Sequence, residues 1–317
     1  MSGAALILTG QTATGKTELS MQLADRLPVD LISVDSAMVY RGLDIGTNKP
    51  SPQLLAHYPH ALIDIREPCT PYSAGAFQGD ATDAITAAWR RGRLPVLVGG
   101  TMLYFKTLLD GMAKLPATVP HIRKDILAEA HTKGWAWMHR QLENVDPVSA
   151  NRLRPTDTQR VMRALEVFRI SGVPLTTHWR RNSSRPGLAC PSVQFAIPLL
   201  SREELRERIA RRFRSMLHLG LVDEVARLRS RGDLSPQLPA MRAIGYRQAW
   251  AYLDGRISRS DLETQGILTT WQMARRQRTW LRKWTNLRWL PEARPQGLEV
   301  LLRAAHALLE DATNKAS

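Results

Sequence analysis

Eight residues near the amino terminus, Gly10, Gln11, Thr12, Ala13, Thr14, Gly15, Lys16 and Thr17, lie between an apolar run and a helical pattern. The two glycines let the backbone close tightly around phosphate oxygens. The loop amides and the amino end of the following helix favour an anion, and Lys16 can reach a terminal phosphate. The Thr17 hydroxyl is positioned for a magnesium ion carried on that phosphate. A purely structural glycine loop is the rival reading, and the agreement of pattern, position and flanking elements weighs against it. Such a loop reads phosphates and not a base, so a nucleoside triphosphate and another diphosphate both stay open.

Asp35 ends the apolar run LISV (31–34). At the carboxyl end of a parallel strand it would stand beside the phosphate loop as a base or metal organiser, and the alternative is an aspartate capping the next turn. Arg212 shares a helix face with Arg208, and a basic face of this kind is either a phosphate contact or simply solvated. The chain carries 44 Lys and Arg against 29 Asp and Glu, a net charge of +15, which points to a polyanionic partner. At about 100° per residue, Arg275, Arg278 and Arg282 fall on one helical face, with Met273, Trp280 and Trp284 opposite. That places the arginines toward phosphate and the tryptophans in packing. Arg160 and Arg163 lie one turn apart, backed by Val161, Leu165 and Phe168 as a buried stripe.

The elements that must position these groups follow from periodicity. Apolar runs at 5–10, 31–35, 61–65 and 94–100 alternate with helical patterns, as in a parallel sheet flanked by helices. Leu19, Leu23 and Leu27 predict a helix over 17–27 that Pro28 stops. Between about 115 and 190 the strand signal fades into helical patterns, which predicts a helical insertion. A strand at 193–199 then resumes the core, and Ser201 with Glu204 reads as a capping box for the next helix. The expected architecture is a P-loop NTPase-like α/β core from residues 1–114 and 191–317, with the insertion over 115–190. RRNSSRPG (180–187) reads as an exposed flexible loop.

No apolar run approaches the roughly 20 residues that span a bilayer, and residues before Gly10 leave no room for a secretory signal. The chain therefore reads as cytoplasmic. Cys69 and Cys190 stand far apart without His or Cys at ligand spacing, so neither zinc nor a disulfide framework is expected.

The stretch SVDSAMVYRGLDIGTNKP (33–50) closely resembles the signature of the tRNA dimethylallyltransferases, also called isopentenyltransferases. HALIDIREP (60–68), YSAGAF (72–77), LPVLVGGTMLYFKTLLDG (94–111), DPVSANRL (146–153), QRVMRALEV (159–167) and MRAIGYRQAW (241–250) extend the likeness over nearly the whole chain. Gln11 stands where the family usually has proline, and Asn48 where alanine commonly precedes Lys-Pro.

The resemblance implies that Asp35 is a general base, that Thr101 lines the reaction channel and that Arg212 contacts diphosphate. The nucleotide-binding type of loop, residues 10–17, would then hold dimethylallyl diphosphate with Mg2+, in place of ATP. The implied reaction transfers dimethylallyl to the exocyclic amino group of the adenosine 3′ of the anticodon, in tRNAs reading codons that begin with U. The anticodon stem-loop would meet Asp35, Ser36, Ala37, Met38, Thr101 and Arg123, then Gln159, Arg160, Val161, Met162 and Arg163. Further contacts would come from Arg242, Ala243, Ile244, Gly245, Tyr246 and Arg247, and from Arg275, Arg276, Gln277, Arg278, Thr279, Trp280, Leu281 and Arg282. The family default is a monomer.

Two other classes compete. A phosphate-loop kinase would use Asp35 to activate a hydroxyl and consume ATP without RNA, leaving the arginines unexplained. A nucleotide-driven RNA-binding protein would hydrolyse ATP when RNA is present.

Overall fold

The computed structural model describes residues 3–113, 115–181, 187–188, 190–291 and 294–314. They form two compact units, Met1–Leu108 with Leu188–Ser317, and Leu109–Gly187. The second unit thus starts six residues earlier and ends three residues earlier than the 115–190 drawn from the fading strand signal. Residues 182–186 of the expected flexible loop lie outside the described residues.

The first unit holds a six-stranded sheet: β1 Ala5–Thr9, β2 Val29–Val34, β3 His60–Ala61, β4 Leu94–Gly99, β5 Ser192–Ala196 and β6 Arg288–Trp289. Its order is β3-β2-β4-β1-β5-β6, and every pairing is parallel. The helices in chain order are α1 Lys16–Ala24, α2 Pro52–His57, α3 Ala74–Arg90, α4 Met102–Asp110, α5 Pro120–Lys133, α6 Trp135–Val145 and α7 Pro147–Arg152. They continue as α8 Thr158–Ser171, α9 Leu175–Arg181, α10 Arg202–His218, α11 Leu221–Ser230, α12 Tyr246–Leu253, α13 Arg259–Arg282 and α14 Arg294–Asn314. No described helix is long and apolar enough to cross a membrane.

Strands buried on both faces read as continuous apolar runs, which is why four of them were legible. One face packs Leu6, Leu8, Val96 and Val98 against Leu19 and Leu23 of α1 and Leu301 and Ala305 of α14. The strand expected at 61–65 shrinks to His60–Ala61. Leu62 and Asp64 have φ of 67° and 54°, so the apolar run turns out of the sheet. The two-residue β6 carries no alternation that a sequence pattern could reveal. Ser201 does cap α10, its Oγ accepting from the Glu204 amide at 3.1 Å.

The second unit is helical, with a core of Ile126, Met138, Leu142, Val161, Leu165 and Val167. Its two ends meet at Leu109 and Gly187, where a Cβ on Gly187 would collide with the Leu109 carbonyl. Asp146 organises the unit from within. Its Oδ1 accepts from the Ser149 amide (3.1 Å) and Thr176 Oγ1 (2.8 Å), and its Oδ2 from Ser149 Oγ (2.8 Å) and the Thr176 amide (3.1 Å). Burial alone would raise this carboxyl's pKa, but the hydrogen bonds from Thr176 and Ser149 outweigh it and hold the group below its ordinary value. The stabilisation is therefore complete above the ordinary carboxylate value and is lost as pH falls through the lower folded value. Asp146→Ala strands four donors and should destabilise the unit by about 3 kcal/mol. Thermal unfolding with proteolysis of the 109–187 unit checks it, and a change under about 0.5 kcal/mol would contradict the role.

Candidate active site

The site grows from strand register. Thr9 of β1 and Val34 of β2 both pair with Gly99 of the central β4, so the three chains leave the sheet side by side at one level. The loops that follow carry the phosphate-loop residues, Asp35 and Thr101. Because β1 continues toward β2 while β5 lies on its other side, this edge is also where the strand order switches direction, the usual crevice of an open parallel sheet. Gly99 admits no side chain, since a Cβ would run into the Val34 carbonyl.

The phosphate loop has φ of 157° at Gly10, 62° at Ala13 and 88° at Gly15. Of these, Ala13 is the strained position, a left-handed residue bearing a Cβ. Alternation of this kind turns successive amides inward as an anion nest. Lys16 Nζ lies in the loop, donating to the carbonyls of Gly10 and Gln11. Arg212 Nη1 donates to Thr12 Oγ1 at 3.1 Å and its Nη2 to the Thr47 carbonyl at 3.4 Å. Arg212 is half-buried against the loop, so the solvated-face alternative does not describe it.

Arg208, one turn earlier, aims Nη1 at the Ala13 carbonyl at 3.5 Å while its Nη2 donates to Glu204 at 2.7 Å. It was not singled out in the sequence beyond sharing a face with Arg212, and that four-residue spacing was the signal. The backbone that receives Arg212 is itself anchored by a buried carboxylate. Glu224 of α11 accepts from the amides of Asp44 (3.3 Å), Ile45 (2.8 Å) and Gly46 (3.3 Å) and from the Tyr246 hydroxyl.

Asp35 joins its two sequence readings. Its Oδ1 accepts from the amides of Ala37 (2.8 Å) and Met38 (3.1 Å), which caps the turn and leaves Oδ2 outside these two bonds. Thr101 Oγ1 accepts from the Ser36 amide at 3.1 Å, tying the loop after β4 to the loop after β2. Asp35 is half-buried and Ser36 exposed, so the carboxylate stands at an open edge.

Of the residues expected to face RNA, the structure separates two sets. Arg160, Arg242, Arg247, Arg275, Arg276, Thr279, Trp280 and Arg282 are exposed, and Gln159 with them, while Arg123, Ala243 and Ile244 are half-buried. Val161, Met162, Gly245, Tyr246, Gln277 and Leu281 are buried; the Val161, Met162 and Leu281 side chains pack, and those of Tyr246 and Gln277 hydrogen-bond within the protein. Arg163 turns inward to Glu166 Oε2 (2.8 Å) and the Pro116 carbonyl (2.7 Å).

The wheel drawn for α13 is also displaced. Trp280 is 40% exposed, whereas Arg278 is half-buried with its Nε enclosed and unpartnered among the described residues. The inward stripe runs through Ala274, Gln277 and Leu281, and the buried glutamine hides it from any apolar periodicity. Trp284 does pack, edge-on to Phe105 with its Nε1 donating to Gln194 at 2.7 Å.

The sequence profile described as IPP transferase matches residues 38–284. The chain belongs to the IPP transferase family. The tRNA dimethylallyltransferase 2 of Hahella chejuensis is 46% identical to this family member over 311 residues, 94% of each chain. The crystal structure of the full-length tRNA isopentenylpyrophosphate transferase from Bacillus halodurans superposes with a TM-score of 0.69 at 31% identity, covering 100% of this chain and 99% of that one. A eukaryotic dimethylallyltransferase acting on tRNA gives 0.76 at 25% identity over 91% of this chain and 74% of that one.

Burial, followed by the charge of Arg212, lowers the Lys16 ammonium from its ordinary 10.5 to about 7, with Asp35 opposing. Arg212 is lowered by burial in the same way, again against Asp35. For folding, the unfolded lysine holds a proton that the folded one releases above 7, so the cost of the buried charge applies below pH 7 and is relieved as pH rises. An anion reverses this by restoring the charged form. Pyrophosphate binding at pH 8 should therefore take up a fraction of a proton that is absent in Lys16→Met, measured by calorimetry in buffers of different ionisation heat. Equal uptake by both proteins would contradict it.

Proposed function

We propose that this chain transfers a dimethylallyl group from dimethylallyl diphosphate to the exocyclic amino group of the adenosine 3′ of the anticodon, in tRNAs that read codons beginning with U. One observation carries the reading: the Asp35 carboxylate, Thr101 and a cation-lined phosphate loop share three adjacent strand ends. Membership of the family and the 46% identical relative support the reaction class.

The adenine amino group is a weak nucleophile because its lone pair is delocalised into the ring. Removing its proton as the carbon–nitrogen bond forms lowers the barrier, and Asp35 Oδ2 is the acceptor, its partner oxygen already held by two amides. As the carbon–oxygen bond to the allylic carbon breaks, the electron pair leaves on diphosphate. Lys16, in the charged form that the anion restores, Arg212 and the loop amides meet that charge. Thr101, joined to Ser36, lines the path by which the base approaches, and a base stacked in the anticodon loop must leave its stack to enter.

Magnesium fits this donor set in one way. The described residues hold no cluster of three or more His, Cys, Asp or Glu, and Thr17 offers one hydroxyl in the first turn of α1, which suits an ion arriving on the diphosphate. Bound there, it would neutralise charge on the phosphate oxygens. The exposed arginines of α13, Arg275, Arg276 and Arg282, together with Arg160 and Arg247, give the net charge of +15 a use against the RNA backbone.

The test incubates the protein with magnesium, labelled dimethylallyl diphosphate and unmodified tRNA, and counts label in RNA. Incorporation should require the adenosine after the anticodon; ATP turnover without label in RNA would favour the kinase. Asp35→Ala should keep RNA affinity while losing about 100-fold or more in transfer rate. Equal loss of binding would overturn the base assignment. Arg282→Ala should weaken RNA binding and reduce the salt slope by about one charge equivalent with transfer at saturation intact, and an unchanged slope would count against this surface.

A further inference from the structure

Two glutamines, Gln11 within the phosphate loop and Gln277 on α13, tie the loop to that helix. Gln11 is 1% exposed, and its Nε2 donates to the Ala274 carbonyl of α13 at 2.9 Å. Gln277, one turn along the same face of α13, is 7% exposed and returns the contact. Its Oε1 accepts from the Thr12 amide at 2.9 Å, and its Nε2 donates to the Gly100 carbonyl at 2.9 Å. The single side-chain amide of Gln277 thus spans the loop after β1 and the turn after β4, beyond the point where the strand ladder ends at Thr9 and Gly99.

Both ends of this bridge lead to the chemistry. Thr12 receives Arg212 through its hydroxyl, and Gly100 immediately precedes Thr101. The adjoining Ala13 sits at φ 62°, a conformation that persists only where the surroundings hold it. Gln277 restrains it through the Thr12 amide and Arg208 through the Ala13 carbonyl. Gly100 is matched to the bridge, since a Cβ there would lie 2.6 Å from Gln277 Nε2. The Thr12 amide, occupied by Gln277, is not offered to a phosphate.

We propose that Gln277 is a positioning residue for transfer, setting the distance between the diphosphate held by the phosphate loop and the acceptor base guided by Thr101 and Asp35. Gln11 is its counterpart, and a proline at position 11 would have no side-chain donor for Ala274. The inference rests on the transfer reading above and adds to it a part that lies on the RNA-facing helix without facing RNA. In a displacement where one bond forms as another breaks, a shift of about 1 Å between the partners costs on the order of 100-fold in rate.

The experiment compares wild type, Gln277→Leu and Gln277→Glu by single-turnover transfer, tRNA affinity and pyrophosphate affinity. Leucine keeps volume but makes neither bond; glutamate keeps the acceptor for Thr12 and sets an oxygen against the Gly100 carbonyl. Each should lower the transfer rate at saturation at least about 10-fold, with both affinities within about 3-fold of wild type. Gly100→Ala, which pushes the amide aside, should act alike, and Gly100→Ala combined with Gln277→Leu should be no worse than the slower single variant.

Unchanged rate in either folded Gln277 variant overturns the proposal, as does weaker tRNA binding at unchanged rate, which would make Gln277 an RNA contact. Additive losses in the combined variant also overturn it. A wild type that transfers nothing sinks the transfer reading itself, an outcome separate from a wild type and variants that transfer equally.

Discussion

Everything at the candidate site depends on how closely β2 and β4 approach at their carboxyl ends. Gly99 faces Val34 with no room for a Cβ, and the same residue pairs with Thr9 on its other side. Three loops consequently leave the sheet in register. With a larger residue at Gly99 the strands would have to spread, and the carboxylate of Asp35 would separate from the loop that holds Lys16. The geometry of the candidate site is therefore a by-product of backbone hydrogen bonding, which fixes where the strand ends lie.

Around that edge the protein gathers positive charge at a cost. Lys16 and Arg212 are both desolvated by burial, and the charge of Arg212 further disfavours the Lys16 ammonium, with Asp35 as the opposing counter-charge. The arrangement is held by polar bonds that do not neutralise it: carbonyls of Gly10, Gln11 and Thr47 and the Thr12 hydroxyl. Glu224 secures the Asp44–Gly46 backbone from behind and so keeps Thr47 where Arg212 can reach it. A site under such tension is complementary to an anion that brings several charges at once, as a diphosphate does.

Much of this was legible in the residues. The glycine loop, the strand that ends at Asp35 and the four-residue spacing of Arg208 and Arg212 each carry a local signature, because turn chemistry and period are properties of short segments. The run at 61–65 misled because its apolar residues serve a turn with left-handed Leu62 and Asp64, which β-branched and aliphatic composition does not announce. Arg163, read as facing outward with Arg160, bends in to Glu166 and Pro116, and a wheel assigns faces to positions and not to the reach of a long side chain.

Helix α13 marks the boundary between the two kinds of information. Its residues alone determined that the stretch around 275–282 is helical and that it carries a dense set of arginines, whereas the cap at Ser258 came from the structure. They did not determine its orientation, because the stripe that docks it contains Gln277, a polar residue whose burial is paid back by hydrogen bonds to Thr12 and Gly100. Those partners are 265 and 177 residues away in the chain, and their amide and carbonyl become available only once β1 and β4 have paired. Local chemistry and segment type were written in the sequence; which polar groups meet was decided by tertiary structure, since a hydrogen bond needs both partners at a set distance and angle, and only the assembled sheet supplies them.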